Sequence, residues 1–205
     1  PQPPRAVAPL HGVGLLVRNR LVVAGWLGAM SCTFAWGGLM AFFPLYGQDL
    51  GLSTGLIGAL LGVHAVANAL SRLPAGYVTD RLGRPVPLIV GALLAYALAL
   101  NLLGRVATLP GLGVMALVMG GAAGTAFVTL GAVVGSSSDP RLRGLAVGVY
   151  STFLYLGLAL GPAVVGAVMN VHGYAVGFSL AGVVASFGGV FVAVMARNGT
   201  LHRKR

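Results

Sequence analysis

Gly76-Tyr77-Val78-Thr79-Asp80-Arg81-Leu82-Gly83-Arg84-Pro85 is a knot of an acid, two arginines and two glycines in a chain that is otherwise nearly free of charge. Its acid is one of only three Asp or Glu residues among 205. On either side lie apolar runs of about 20 residues, the length at which a helix crosses a bilayer. Hydrophobic residues make up 57% of the sequence and charged ones 8%. A soluble domain carries about 25% charged residues, so this composition requires lipid as its solvent. The 33 glycines fit the same class, because small residues let spanning helices approach where no hydrophobic effect drives them together.

The net charge of +10 does not describe a nucleic-acid surface. The basic residues fall singly or in pairs between the apolar runs, which is how flanking charges orient a membrane protein. Cys32 is the only cysteine and lies inside an apolar run, so neither an internal disulfide nor a thiolate metal site is expected. No cofactor motif is visible; in particular, no glycine loop ends in Lys-Ser or Lys-Thr to hold a nucleotide phosphate.

Taken in order, the chain reads as an all-α membrane protein. Residues 1–20 form a cationic, proline-rich lead-in expected to be a flexible cytoplasmic linker, without the apolar core of a signal peptide. Six transmembrane helices are expected over about 21–45, 54–79, 85–103, 111–134, 141–170 and 174–196, so that 21–196 is the bundle and 197–205 a basic tail. Ser53 or Thr54 should cap the second span and Pro85 should open the third. With a cytoplasmic N-terminus, the inner segments hold Arg5, Arg18, Arg20, Arg81, Arg84, Arg141, Arg143, Arg197, Arg203, Lys204 and Arg205. The outer loops then hold only Arg105. The positive-inside rule therefore puts both termini in the cytoplasm. Pro74 and Pro162 at comparable places in the second and fifth spans are compatible with a 3+3 inverted repeat.

Within the knot, Gly83 permits a tight turn. Asp80 sits at a helix C-terminus, where its charge opposes the helix dipole, so it needs a positive partner. The start of the fifth span, at Arg143-Gly144, is the expected one. An acid at a helix N-terminus gains about 0.3–1 kcal/mol, enough to bias two conformations and too little to lock one.

Gly76-x-x-x-Asp80-Arg81-x-Gly83-Arg84, on the turn between the second and third spans of a six-helix unit, resembles the signature loop of the major facilitator superfamily of secondary transporters. Gly157-x-x-x-Gly161-Pro162-x-x-x-Gly166 in the fifth span resembles the glycine–proline motif of that family's antiporters. The approach Ser71-Arg72-Leu73-Pro74-Ala75-Gly76 is similar to its drug-efflux branches. The resemblance implies one half of a twelve-span transporter in the cell membrane. It points to alternating access and to proton-coupled efflux of a small solute. The lead-in resembles the family's central linker, so the chain is read as the C-terminal half, paired with a missing N-terminal six-helix half. The N-terminal half and a second copy of the same chain are the alternatives.

Polar residues inside the spans are candidates for a substrate or proton site. His64, Asn68 and Arg72 follow one another at i, i+4 and i+8 on the second span, with His64 near mid-depth and foremost among them. Arg72 can snorkel to the surface and is expected to support the knot. Thr33, Trp36 and Tyr155 are further candidates, with Thr125, Thr129, Tyr150 and Ser151 beside them. Cys32 is expected to be inert packing, and Asp49 and Asp139 to be loop residues. The pairs Gly58/Gly62, Gly120/Gly124 and Gly144/Gly148 are expected to make helix contacts. An intramembrane serine hydrolase built on His64 and Ser136-Ser137-Ser138 is disfavoured, because a nucleophile and its base must lie within hydrogen-bond reach.

Overall fold

The computed structural model describes residues 9–83 and 85–201, and every regular element among them is a helix. Arg84 of the knot, residues 1–8 of the lead-in and residues 202–205 of the tail lie outside the described residues. The helices are α1 (Pro9–Val17), α2 (Arg20–Asp49), α3 (Thr54–Leu82), α4 (Pro85–Leu103), α5 (Leu109–Ser137) and α6 (Arg143–Leu201). Five of them, α2 to α6, are long and apolar enough to cross a membrane. The lead-in, expected to be flexible, carries the short apolar helix α1, which packs on α2 and α6 and buries Leu16.

Helix ends follow from local chemistry. Asn19 caps α2 by accepting from the backbone N–H groups of Leu21 and Val22, satisfying donors that a first turn leaves orphaned. Its Nδ2 also donates to the Ser137 carbonyl at 2.6 Å, tying the start of α2 to the end of α5. At the other end of the bundle, the Tyr46 hydroxyl donates to the carbonyls of Leu103 and Val106, joining the end of α2 to the α4–α5 turn. α2 runs four residues past the expected Leu45, so Asp49, expected in a loop, is its last residue.

Ser53 caps α3 and Pro85 opens α4. α3 runs three residues past the expected Thr79, so Asp80 and Arg81 belong to its last turn. The stop is Gly83, in the left-handed region at φ 58°, whose N–H bonds the Thr79 carbonyl. No Cβ penalty opposes that conformation in glycine. α5 likewise begins two residues early, with Pro110 in its first turn, and ends at Ser137. Asp139 closes the next turn by accepting from the Arg141 N–H at 2.8 Å.

α6 covers both the fifth and sixth expected spans. Its 59 residues would measure about 88 Å if straight, nearly three times the ~30 Å hydrocarbon core. Gly173, at φ 79° and ψ 174°, is the non-helical residue that breaks it into two arms, 143–172 and 174–201. The expected four-residue turn has shrunk to a single glycine.

α2 is the central helix: 67% of its apolar window is buried, against 17% for α3. α2 packs on α6 and α5, α4 on α6 and α5, and α3 chiefly on α5. Glycines set the closest approaches. A Cβ on Gly120 or Gly124 of α5 would run into the His64 or Asn68 carbonyl of α3. One on Gly157 or Gly161 of α6 would meet the carbonyl of Met30 or Phe34 on α2. Gly166 continues that seam against the Phe42 ring. The pairs Gly58/Gly62 and Gly144/Gly148 differ, since a Cβ there would meet nothing within 4 Å. Within this bundle they make no close helix contact.

Candidate functional site

A cavity of about 330 Å³ lies where α2, α3, α5 and the first arm of α6 converge. Five of the six candidate substrate-site residues line it: Thr33, Trp36, Asn68, Arg72 and Tyr155. Tyr150 and Ser151 stand on the same wall, with Phe127, Leu154 and Leu158, which lack the polar signal that singled out the others. Their apolar side chains read from sequence as lipid-facing or core positions. Only the convergence of four helices makes them a wall.

Arg72 is the one charged residue of the lining. Its Nε and Nη2 both donate to Asn68 Oδ1, at 3.1 and 2.8 Å. The i, i+4 spacing puts the amide one turn below the guanidinium and fixes its direction. The Asn68 backbone carbonyl in turn accepts from Ser71 Oγ at 3.0 Å. Arg72 therefore lies on the cavity wall.

Most hydroxyls of the wall are already engaged. Thr33 donates to the carbonyls of Ala29 and Met30, Ser151 to Val147 and Tyr150 to Phe127. Trp36 and Phe127 meet edge to face at 6.2 Å, a favoured aromatic arrangement. Trp36 Nε1 is buried without a partner among the described residues. Tyr155 is 71% exposed.

His64 is not part of this cavity. It is 5% exposed and faces a void of about 10 Å³ lined by Leu39, Met40, Phe43, Leu60, Leu61, Ala116 and Met119. Its Nε2 has no hydrogen-bond partner among the described residues. The cause is helical drift: each four-residue step turns about 40° around the axis, so His64 stands about 80° from Arg72. That angle carries it from the cavity to the α2–α5 side. Thr129 and Thr125 are also elsewhere. Thr129 is fully buried and bonded to the Thr125 and Ala126 carbonyls, while Thr125 lines a separate groove between α4 and α5.

At the knot, Arg81 lies over the Tyr77 ring, 4.5 Å from its centroid. Asp80 and Arg143 are both exposed, and neither forms an ion pair among the described residues. Cys32 is fully buried. Ser136 and Ser138 donate to helix carbonyls at the end of α5, away from any base. Among the described residues no group of three His, Cys, Asp or Glu side chains could hold a metal.

An all-helical bundle with spanning-length apolar helices around a cavity is the build of an integral membrane protein. The chain belongs to the Major Facilitator Superfamily, whose family model matches residues 25–205. It is 23% identical over 186 residues to the uncharacterized MFS-type transporter MJ1560 of Methanocaldococcus jannaschii, covering 90% of this chain and 46% of that one. It is 26% identical over 133 residues to the aspyridones efflux protein apdF of Emericella nidulans, covering 64% of this chain and 27% of that one. Among solved structures, the POT family transporter PepTSo superposes with a TM-score of 0.77 at 16% identity, covering 87% of this chain and 38% of that one. The peptide transporter POT in complex with alafosfalin gives 0.75 at 21% identity, covering 86% and 38%. The chain thus spans less than half the length of these proteins. Membership places it in a transporter family and not among enzymes.

Proposed function

We propose that the chain is one six-span half of a secondary active transporter in the cell membrane, with both termini cytoplasmic. Its cavity is half of a solute site that opens alternately to the two sides. The carrying observation is the cavity itself: polar side chains from α2, α3 and α6 meet among apolar helices. A polar site between discontinuous or packed helices near mid-depth is how such transporters hold solute. The kink at Gly173 breaks α6 into two arms, which supports counting them as two spans, in keeping with the even number expected from the flanking charges. The lengths of the relatives support a second bundle as the other half.

Asp80 acts in this reading as a latch. It stands exposed at the C-terminus of α3, where the dipole is unfavourable. α3 packs chiefly on α5, so a helix N-terminus or cation of the second bundle is the partner that would engage it. Export by exchange with protons completes the reading.

Inside-out vesicles carrying the full-length protein, incubated with pooled anionic, neutral and cationic small solutes, test it. Enrichment of at least one solute is expected, to be lost with Tyr155→Ala and with a protonophore. Vesicles that enrich none refute transport, and enrichment that survives the protonophore refutes proton coupling alone.

A further inference from the structure

We infer that the solute held in this cavity is an organic anion, a carboxylate or similar group on a flat apolar body, anchored by Arg72. This rests on the cavity being the solute site of a transporter. Among the described residues, Arg72 supplies the only formal charge on the wall, and no acid lines it. The three acids of the chain stand at helix ends, Asp49 closing α2, Asp80 in the last turn of α3 and Asp139 in the turn before α6. A cationic solute would therefore find no carboxylate in this half of the site and would meet the repulsion of Arg72.

The guanidinium is held ready for an anion. Asn68 Oδ1 takes two of its N–H groups; a guanidinium has five, in a planar fork that matches a carboxylate. Asn68 is neutral, so the cation is oriented without being neutralised. A charge on a spanning helix is costly unless it is paired or reaches the interface, and an anionic ligand supplies the pairing. The buried polar atom of the wall that lacks a partner, Trp36 Nε1, is also a donor and not an acceptor. The rest of the wall defines the body of the ligand. Trp36, Phe127 and Tyr155 present aromatic surface, and Leu154 and Leu158 aliphatic surface, which suits a flat apolar group more than a sugar or a peptide.

Equilibrium binding of radiolabelled benzoate to the full-length protein in lipid nanodiscs, competed by benzamide and benzylamine, decides the matter. The three probes share one ring and differ in charge. Benzoate is expected to bind best and benzylamine worst in the unaltered protein, a ranking that needs no variant. Arg72→Gln should weaken benzoate by about tenfold or more, the loss of charge-assisted hydrogen bonds. Benzamide affinity should stay the same, which also shows that the variant is folded. Arg72→Lys should fall between, since an ammonium keeps the charge without the fork. Benzamide or benzylamine binding as tightly as benzoate overturns the inference. So does unchanged benzoate affinity in Arg72→Gln, or failure of all three probes to bind. The vesicle assay with pooled solutes judges the transport reading separately, because it admits solutes of every charge.

Discussion

At the scale of single residues, Arg72 and His64 show how one helix can serve two environments within two turns. Arg72 is oriented by Asn68 toward an open cavity, while His64 is sealed among Leu39, Phe43, Leu60 and Met119 with Nε2 unpaired. An unsatisfied buried polar atom costs about 1–3 kcal/mol. Replacing His64 by leucine, of similar size, removes that atom and keeps the packing. His64→Leu is therefore expected to hold or raise the thermal unfolding temperature in detergent and to leave solute affinity unchanged. A tenfold loss of affinity would return His64 to the site. The sequence placed His64, Asn68 and Arg72 on one face because i, i+4 neighbours touch. The rule holds for one step and decays over two. Asn68 and Arg72 stayed together, and the accumulated drift separated His64. The polar members of the wall were legible because polarity is conspicuous in an apolar span. Phe127, Leu154 and Leu158 were not, since nothing local distinguishes an apolar wall from an apolar seam.

At the scale of elements, glycine pairs with the same spacing divide into engaged and open ones. Gly161 lies against the Phe34 carbonyl, and a methyl there would press backbone against backbone. Overpacking of this kind costs about 1–3 kcal/mol. Gly148 has open space where its Cβ would be, and alanine restores helix propensity of about 0.8–1 kcal/mol. Gly161→Ala is expected to lower the unfolding temperature in detergent and Gly148→Ala to hold or raise it. Equal effects would show that the α2–α6 seam is looser than its carbonyl contacts imply. Spacing in sequence marked Gly120/Gly124 and Gly144/Gly148 alike as contacts, and only the three-dimensional arrangement tells that the first is already made. The helix boundaries were more legible, because capping and stop signals are local: Ser53, Gly83 and Pro85 all act where the sequence put them. The main differences are the run of α2 past Leu45 to Asp49 and the near-fusion of α6 across Gly173, where a long apolar run overrides a single breaker.

At the scale of the whole molecule, α3 is the anomaly. It carries the knot and the cavity arginine, yet most of its apolar window is uncovered. Leu70, Leu73 and Tyr77 are all more than half exposed. Gly58 and Gly62 on α3 and Gly144 and Gly148 on α6 leave smooth surface on helices that flank the cavity. Lipid chains gain little from such surface, whereas a second helix bundle can approach it closely. Replacing Asp80 by asparagine in the full-length protein is expected to lower transport several-fold at unchanged membrane abundance; unchanged turnover would remove the latch. Bulk placed on the glycine face tests the cover itself. Gly58→Trp is expected to abolish transport, while Leu98→Trp, on an exposed position of α4, is expected to be tolerated as a lipid-facing change. Gly58→Cys, with any cysteine elsewhere in the full-length protein replaced, then identifies what covers the face; Cys32 is itself fully buried. Oxidation to a species of twice the mass would mean that a second copy of the chain covers it. An unchanged mass, together with loss of transport in Gly58→Trp, would place the second bundle on the same polypeptide. Free tolerance of tryptophan at Gly58 would leave the face to lipid and remove the two-bundle reading altogether.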